Sequence, residues 1–282
     1  MKMLSAGLII FGAACSAQAD EITITQVGLS FDPPSVTVSP GDTITWERTG
    51  GTHDATHGNG CFEASDDGGV FAGFPYFALS LTASNPTASW TVPDAVNGRI
   101  PYFCTVGTHC EAGMEAEILV VPRAGSNVVT IEQNSLIFVP ENAVASPGDT
   151  IVWNHNNGGH SIHTGSNATC SNDDVTIALP LDFTYNQVIW QIPEDTPQGV
   201  IDYFCIYHCE IGHLGTIDIQ SPCTLGDLNC DGCISGPDLT ILLGAWGSCV
   251  PDEECIADLN NDGEVSGPDL TILLGGWTGS CG

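Results

Sequence analysis

The sequence predicts a mainly β protein, two β-sandwiches followed by a small α-helical module, and three observations carry that prediction. The chain repeats itself: Phe31-Asp32-Pro33 and Ser39-Pro40-Gly41-Asp42-Thr43-Ile44-Thr45-Trp46 return as Phe138-Val139-Pro140 and Ser146-Pro147-Gly148-Asp149-Thr150-Ile151-Val152-Trp153. Pro40 to Pro147, Trp46 to Trp153 and His53 to His160 are each 107 residues apart. Around the repeats, segments such as Ile22-Thr23-Ile24-Thr25 and Ser35-Val36-Thr37-Val38 alternate apolar and polar residues between turn signals, as short sandwich strands do. From about Cys223 a new period of 31 residues appears, pairing loops with short apolar stretches.

Taken in order, the chain opens with Lys2, an apolar run from Leu4 to Cys15 and the small-residue stretch Ala17-Gln18-Ala19. Residues 1–19 therefore read as a signal peptide, and the expected location is secreted, periplasmic or at the cell surface. Cys15 would suit lipid attachment, but Gly12 stands where such a signal prefers a branched apolar residue. No later stretch approaches the roughly 20 apolar residues of a membrane span. Residues 20–123 and 124–221 form the two sandwiches, each of about 100 residues and long enough for one core. Residues 222–282 form the third module.

After residue 19 only Arg48, Arg99 and Arg123 face 34 carboxylates. Such a surface excludes nucleic acid and anionic membrane as partners. It suits solubility in a salty exterior, and bound calcium would neutralise part of the charge. Twelve cysteines follow residue 19, as three (61, 104, 110), three (170, 205, 209) and six (223, 230, 233, 249, 255, 281). An exported chain oxidises spare thiols, so an odd number in each of two segments asks for one special cysteine in each.

The run from Tyr102 to Met114 shows what that cysteine does. It holds Cys104, His109 and Met114, the last being the single methionine beyond residue 19. A thiolate, an imidazole and a thioether on one short loop suit a mononuclear copper site, which takes one Cys and two His in a plane with a weak axial sulfur. The missing imidazole lies upstream. His53 is the first candidate, since Trp46 to His53 matches Trp153 to His160, and His57 is its competitor. If His57 is not a ligand, it neighbours the site or is exposed. The second half closes with Tyr203-Phe204-Cys205, then His208-Cys209-Glu210 and His213. Cys104 to Cys205 is 101 residues, whereas His109 to His208 and Met114 to His213 are 99, so the second loop has lost two residues and its methionine.

With Phe-x-Pro, Pro-Gly-Asp-Thr, Trp and His in the first part of each half and Tyr-Phe-Cys and His in the second, both halves resemble cupredoxins. The first is most similar to the phytocyanin type. The resemblance implies Greek-key sandwiches, a type 1 (blue) copper site made of His53, Cys104, His109 and axial Met114, and a disulfide between Cys61 and Cys110. It likewise implies Cys170 paired with Cys209, and a second copper site made of His160, Cys205, His208 and His213, with an imidazole replacing the thioether. The expected cofactor count is one or two coppers. A redox partner protein is expected, with the rim histidine, His109, as the exit for the electron. Two alternatives compete for the second site: a binuclear centre on the Cys205-x3-Cys209-x3-His213 spacing, and a half without metal. His155 and His163 are expected at the surface.

A copper enzyme is the competing function. Oxidases of the multicopper kind need paired His-x-His motifs, and the sequence has none. The two-domain nitrite reductase kind would need His57, His155 and His163 to share a further copper between subunits. A non-redox copper-binding or structural surface module is the other alternative. An electron carrier, not an enzyme, is the expectation.

In the third module, calcium-loop positions 1, 3, 5, 7, 9 and 12 are filled twice. The first loop offers Asp227, Asn229, Asp231, the Cys233 carbonyl, Ser235 and Asp238, and the second Asp258, Asn260, Asp262, the Glu264 carbonyl, Ser266 and Asp269. Glycine at position 6, Gly232 and Gly263, supplies the turn. Each loop runs into Ser-Gly-Pro-Asp-Leu-Thr-Ile-Leu-Leu-Gly, and Asp stands at position 12 in place of the usual Glu. The module resembles a type I dockerin, an EF-hand pair. That implies two calcium ions and a cohesin-like or other surface-assembly partner, although Gly236-Pro237 and Gly267-Pro268 depart from the family's usual small hydroxyl pair. Six cysteines suit a module of about 60 residues, too small to be robust without staples. Their pairing stays open, with Cys223 to Cys281 able to tie the ends. The Leu-Thr-Ile-Leu-Leu stripes are expected in the core.

Overall fold

A computed structural model describes residues 19–61, 76–171, 176–220, 224–229, 232–249 and 255–279. Residues 1–18 of the expected signal peptide, Cys223, Cys230, Asp231 and Cys281 lie outside the described residues. The architecture is mainly β. The first half contributes β1 (Glu21–Val27), β2 (Ser30–Asp32), β3 (Ser35–Val38), β4 (Thr43–Arg48), β5 (His53–His57), β6 (Ala78–Leu81), β7 (Thr87–Thr91), β8 (Ala95–Asn97), β9 (Arg99–Phe103) and β10 (Glu115–Val120). The second contributes β11 (Val128–Asn134), β12 (Ile137–Val139), β13 (Asn142–Ala145), β14 (Thr150–His155), β15 (His160–Thr164), β16 (Ala178–Leu181), β17 (Gln187–Gln191), β18 (Gly199–Phe204) and β19 (Leu214–Ile219).

The first half stacks a sheet of order β2-β1-β4-β7 on one of order β3-β10-β9-β5-β6. The second half repeats the scheme as β12-β11-β14-β17 and β13-β19-β18-β15-β16. In each, the first long strand runs parallel to the Trp-bearing strand with the same register, Ile24 beside Trp46 and Ile131 beside Trp153. Alternation explains these sheets: in β1 the even positions Ile22 and Ile24 turn inward and the threonines between them outward. Trp46, Phe31 and Tyr102 are buried in one core and Trp153, Phe138 and Tyr203 in the other, with Tyr102 edge-on to Trp46 at 5.6 Å and Tyr203 to Trp153 at 5.4 Å.

One strand crosses the expected boundary between the halves. β8, from the first half, pairs antiparallel with β17 and completes the second half's sheet as a fifth strand. The fully buried Asn97 secures it, donating through Nδ2 to Pro180 O at 2.8 Å and accepting at Oδ1 from the Tyr76 hydroxyl at 2.8 Å. Val152 and Ile189 of the second half join the first half's apolar cluster, so the two cores share a wall.

The last segment holds α1 (Gly236–Gly244) and α2 (Gly267–Gly275), nine residues each, and a two-stranded ladder of β20 (Gly247–Ser248) with β21 (Glu264–Val265). Pro237 and Pro268 sit in the first helical turn, where a missing N–H costs nothing. Ile234, Leu242, Ala257, Leu259, Val265 and Leu273 form a small core. The leucine stripe is therefore split: Leu242 and Leu273 are buried, whereas Leu243 and Leu274 are about half exposed. Cys249 pairs with Cys255, and Cys233 is also in a disulfide. Among the described residues no helix is long and apolar enough to cross a membrane.

Candidate metal centres

The two ligand loops are built alike. In the first half, β9 ends at Phe103 and delivers Cys104 to the mouth of the sandwich, while β5 begins there with His53. The loop then folds back: Met114 N–H donates to His109 O at 3.0 Å, and Cys104 N–H to Met114 O at 3.1 Å. The Cys104 thiol is free and fully buried, with His53 Nδ1 at 4.0 Å and His109 Nδ1 at 3.4 Å. Met114 is fully buried in the same apolar cluster as Cys104. His53 is 5 % exposed, whereas His109 is half-buried and keeps one edge at the surface, beside a shallow depression lined by Gly28, Leu29, Thr52 and Val106.

In the second half, Cys205 is free and buried, with His160 Nδ1 at 3.7 Å and His208 Nδ1 at 3.4 Å. His213 N–H donates to His208 O at 3.2 Å and Cys205 N–H to His213 O at 3.1 Å, repeating the first loop's backbone pattern. The ligand-type atoms of His53, Cys104 and His109 lie within 4.8 Å of one another, as do those of His160, Cys205, His208 and His213. His53, Cys104 and His109 of the first set named from the sequence, and all four residues of the second, are thus close together. A third close group, Cys61, Cys110 and Glu115, offers little, because the two cysteines are bonded to each other.

Glycines aim the upstream histidines. A Cβ on Gly51, at φ 71°, would stand 2.6 Å from His53 Nε2, and one on Gly158, at φ 78°, 2.7 Å from His160 Nε2. A side chain there would displace the imidazole, which presents Nδ1 to the thiol. The Gly51 carbonyl accepts from Arg48 Nε and the Gly158 carbonyl is 2.7 Å from His155 Nε2, so His155 stands where the first half has Arg48.

Both anticipated disulfides are present, Cys61 to Cys110 and Cys170 to Cys209. The second removes the binuclear alternative, which needs Cys209 as a thiolate. Sequence reasoning missed the residues that hold the cysteine loops. Asp54 accepts the Thr105 N–H at 2.6 Å and the Thr105 hydroxyl, and Ser161 Oγ accepts the Ile206 N–H at 3.1 Å. Asp54 and Ser161 are each the residue after a candidate ligand histidine, which is the signal that could have found them.

The remaining histidines differ from expectation. His57 is neither a member of the Cys104 group nor exposed: it is fully buried, and its Nδ1 accepts the Tyr76 N–H at 3.1 Å. Nε2 therefore carries the proton and donates to Tyr185 Oη of the second half at 3.2 Å. His163 is fully buried, with Nδ1 3.1 Å from Ser161 Oγ, not at the surface. β15 is buried along its whole length, which is why His163 turns inward. His155 is half-buried. Among the described residues His57, His155 and His163 do not converge on one another.

Burial sets the electrostatics. It raises the Cys104 thiol's pKa, and the Asp54 charge adds to that, so without a cation the thiol stays protonated near neutrality. Burial and the facing His109 lower His53, and burial and His208 lower His160. His213 falls to about 4, through burial first and then His160 and His208. Free neutral imidazoles and a buried thiol that a cation can deprotonate are the state in which a soft metal finds its ligands. The donor set, one sulfur with two imidazoles and a nearby thioether, fits copper in the first half.

Residues 18–121 match the family described as copper binding proteins, plastocyanin/azurin family. No curated protein matches the chain. Solved structures similar to it include auracyanin from Roseiflexus castenholzii, at 23% identity over 36% of this chain and 97% of that one, TM-score 0.27. A purple cupredoxin from Nitrosopumilus maritimus is similar at 17% identity over 33% and 99%, TM-score 0.27. Plastocyanin from Dryopteris crassirhizoma is similar at 16% identity over 33% and 100%, TM-score 0.26. The matched segment ends before Cys170, so the second half and the C-terminal module stand outside it.

In that module the first-position carboxylates shape the loops. Asp227 accepts the Gly232 N–H at 2.9 Å and Asp258 the Gly263 N–H at 2.7 Å. At position 12, Asp238 accepts from Leu228, Asn229 and Ser235 N–H, and Asp269 from Leu259, Asn260 and Ser266 N–H. Burial opposes ionisation of both, but these N–H groups outweigh it and hold their carboxyl groups below the usual range. Among the described residues, the carboxylates of the second loop do not converge as the copper-type groups do.

Proposed function

We propose that the chain is an exported blue-copper protein that passes single electrons from its first half, and that its C-terminal module docks it to a partner in a calcium-dependent way. The observation that carries the first part is the free, buried Cys104 between His53 and His109 inside the segment that matches the plastocyanin/azurin family. Copper there supplies a Cu(I)/Cu(II) couple. Everything else would be the work of the chain: Cys104, His53 and His109 would hold the ion, buried Met114 would offer a weak thioether donor, and the folded strands would keep these side chains in place as charge changes. His53 is sealed from water, while the exposed edge of His109 faces the redox partner and is where the electron leaves.

Calcium rests on two loops of one pattern and on Asp238 and Asp269, each ionised and tied by three N–H groups. The partner is a cohesin-like or other assembly protein, and the apolar, half-exposed Trp246 and Trp277 follow the two helices on which it would dock. The expected signal peptide and the oxidised Cys61, Cys110, Cys170 and Cys209 support export to an oxidising exterior.

Voltammetry of the copper-loaded Cys205→Ser chain tests the electron-carrier reading. It predicts one reversible one-electron couple. A chain that binds copper through Cys104 yet shows no reversible couple would leave a storage or structural module in its place.

A further inference from the structure

β7 and β17 hold the same place in their halves, beside β4 and β14, but only β17 is covered on its far side. We propose that the bare edge of β7 pairs antiparallel with β7 of a second copy of this chain, forming a two-fold dimer whose sheet runs unbroken across the joint. This rests on the strands alone and on no metal.

The two strands match residue by residue: Ile44 lies beside Trp90 as Ile151 lies beside Trp190, and Thr43 beside Thr91 as Thr150 beside Gln191. On β17 the far side is taken by β8, with Gln191 N–H donating to Asp94 O at 2.8 Å and Gly98 N–H to Gln187 O at 3.0 Å. Under that cover Val188, Ile189 and Trp190 are at most 2 % exposed. On β7 the near side is used in the same way, Arg48 N–H donating to Pro86 O and Val92 N–H to Asp42 O, both at 2.8 Å. Alternation therefore turns the N–H and C=O groups of Thr87, Ser89 and Thr91 away from β4. Among the described residues no strand pairs with that side. Thr87, Ser89 and Thr91 are exposed, and Trp90, resting on Phe77 with ring centroids 5.1 Å apart, is half-buried where Trp190 is sealed. Sheet edges are normally blunted by shortness, proline or charge. β2 and β12 have three residues each and β16 contains Pro180, whereas β7 has five, Thr-Ala-Ser-Trp-Thr, with neither proline nor charge.

The second half decides which strand of another copy can sit there. Its counterpart of β8, between Pro193 and Gly199, carries Glu194, Asp195 and Pro197, and turns on itself through Thr196 N–H to Pro193 O at 3.0 Å. It forms no strand, so the β8–β17 joint cannot be repeated head to tail from chain to chain. β7 itself fits. Antiparallel pairing centred on Ser89 sets Ser89 opposite the partner's Ser89 and Thr87 opposite the partner's Thr91, each pair exchanging both backbone bonds. Ala88 then lies across from the partner's Trp90 and covers its open flank. No charged side chain on the strand meets a like charge, although each chain carries a formal charge of −30. The contact is small beside the roughly 1,000 Å² of a lasting interface, so the dimer comes apart on dilution.

Sedimentation velocity on the full chain, at rising concentration and two ionic strengths, is the test. A monomer–dimer equilibrium is expected, with more dimer at about 1 M salt than at about 0.1 M, because screening relieves repulsion between two acidic copies and spares the backbone bonds. Hydrogen exchange at the Thr87, Ser89 and Thr91 amides should slow as concentration rises. Ser89→Glu, which sets like charges face to face, should abolish the dimer while keeping the parent's far-ultraviolet circular dichroism. Ser89→Pro, which deletes an outward N–H, should do the same. Val200→Glu, on exposed apolar surface of the second half, should leave the dimer unchanged. A chain that stays monomeric up to about 1 mM in both salts would overturn the proposal. So would a dimer that survives Ser89→Glu, one that is lost in Val200→Glu, or assembly beyond two copies.

Discussion

Asp54 and Ser161 show how much of a candidate metal site lies one residue away from the residues that would bind the ion. Each follows a ligand histidine and catches the N–H of the residue after the ligand cysteine, so histidine and cysteine are clamped across two strands before any ion arrives. Groups that orient ligands in this way are commonly worth about 10–100-fold in metal affinity. Asp54→Ala should weaken copper at the first site by that order in a chelator competition titration, with the disulfide and fold intact. The effect has a second component, since Asp54 also raises the Cys104 thiol's pKa, and its loss eases thiolate formation. The clamp outweighs it here because both Asp54 oxygens are engaged by Thr105. The cysteine, histidine and methionine positions were legible in the sequence because ligands are rare residue types at fixed spacing. Asp54 and Ser161 were not, because an aspartate and a serine are common and announce nothing alone.

At the scale of elements, the strands were legible wherever one face was wet. β1 and β11 alternate, with Ile24 and Ile131 buried between the outward Thr23 and Thr130 and their neighbours. β15 is buried along all five residues, so alternation could not tell which of its histidines turned inward, and His163 was expected at the surface. The short helices were legible through their caps: Ser235 and Ser266 each sit three residues before an aspartate that accepts the cap's own N–H. Asp269→Ala should cost the C-terminal module about 1–2 kcal/mol, the usual scale of a lost cap, read as a lower midpoint in urea by tryptophan fluorescence. Chelating calcium should melt the same module and leave the copper colour untouched. Loss of colour on chelation would mean that the module and the sandwiches fold as one.

At the scale of the molecule, the joint between the halves was invisible beforehand, because a duplication suggests two separate bodies. β8 breaks that rule by completing the neighbour's sheet, and His57 and Tyr185, 128 residues apart, meet across the seam. Burial drives His57 from the ordinary 6.5 to about 3. A base whose pKa is lowered by folding stabilises the fold above its unfolded pKa and loses that contribution as pH falls, here from about 6.5 towards 3. At pH 5 the loss is about 2 kcal/mol. His57→Phe should therefore unfold in urea with a shallower dependence on pH between 7 and 5 than the parent chain. An equal dependence in both would place the acid sensitivity elsewhere. The central claim, a single-electron copper centre at Cys104, is tested most directly by the visible spectrum of the copper-loaded Cys205→Ser chain. An intense thiolate-to-copper band near the red end of the visible range is expected, and it should vanish when Cys104→Ser is added. A colourless chain holding one copper, or a band that survives without Cys104, would contradict it.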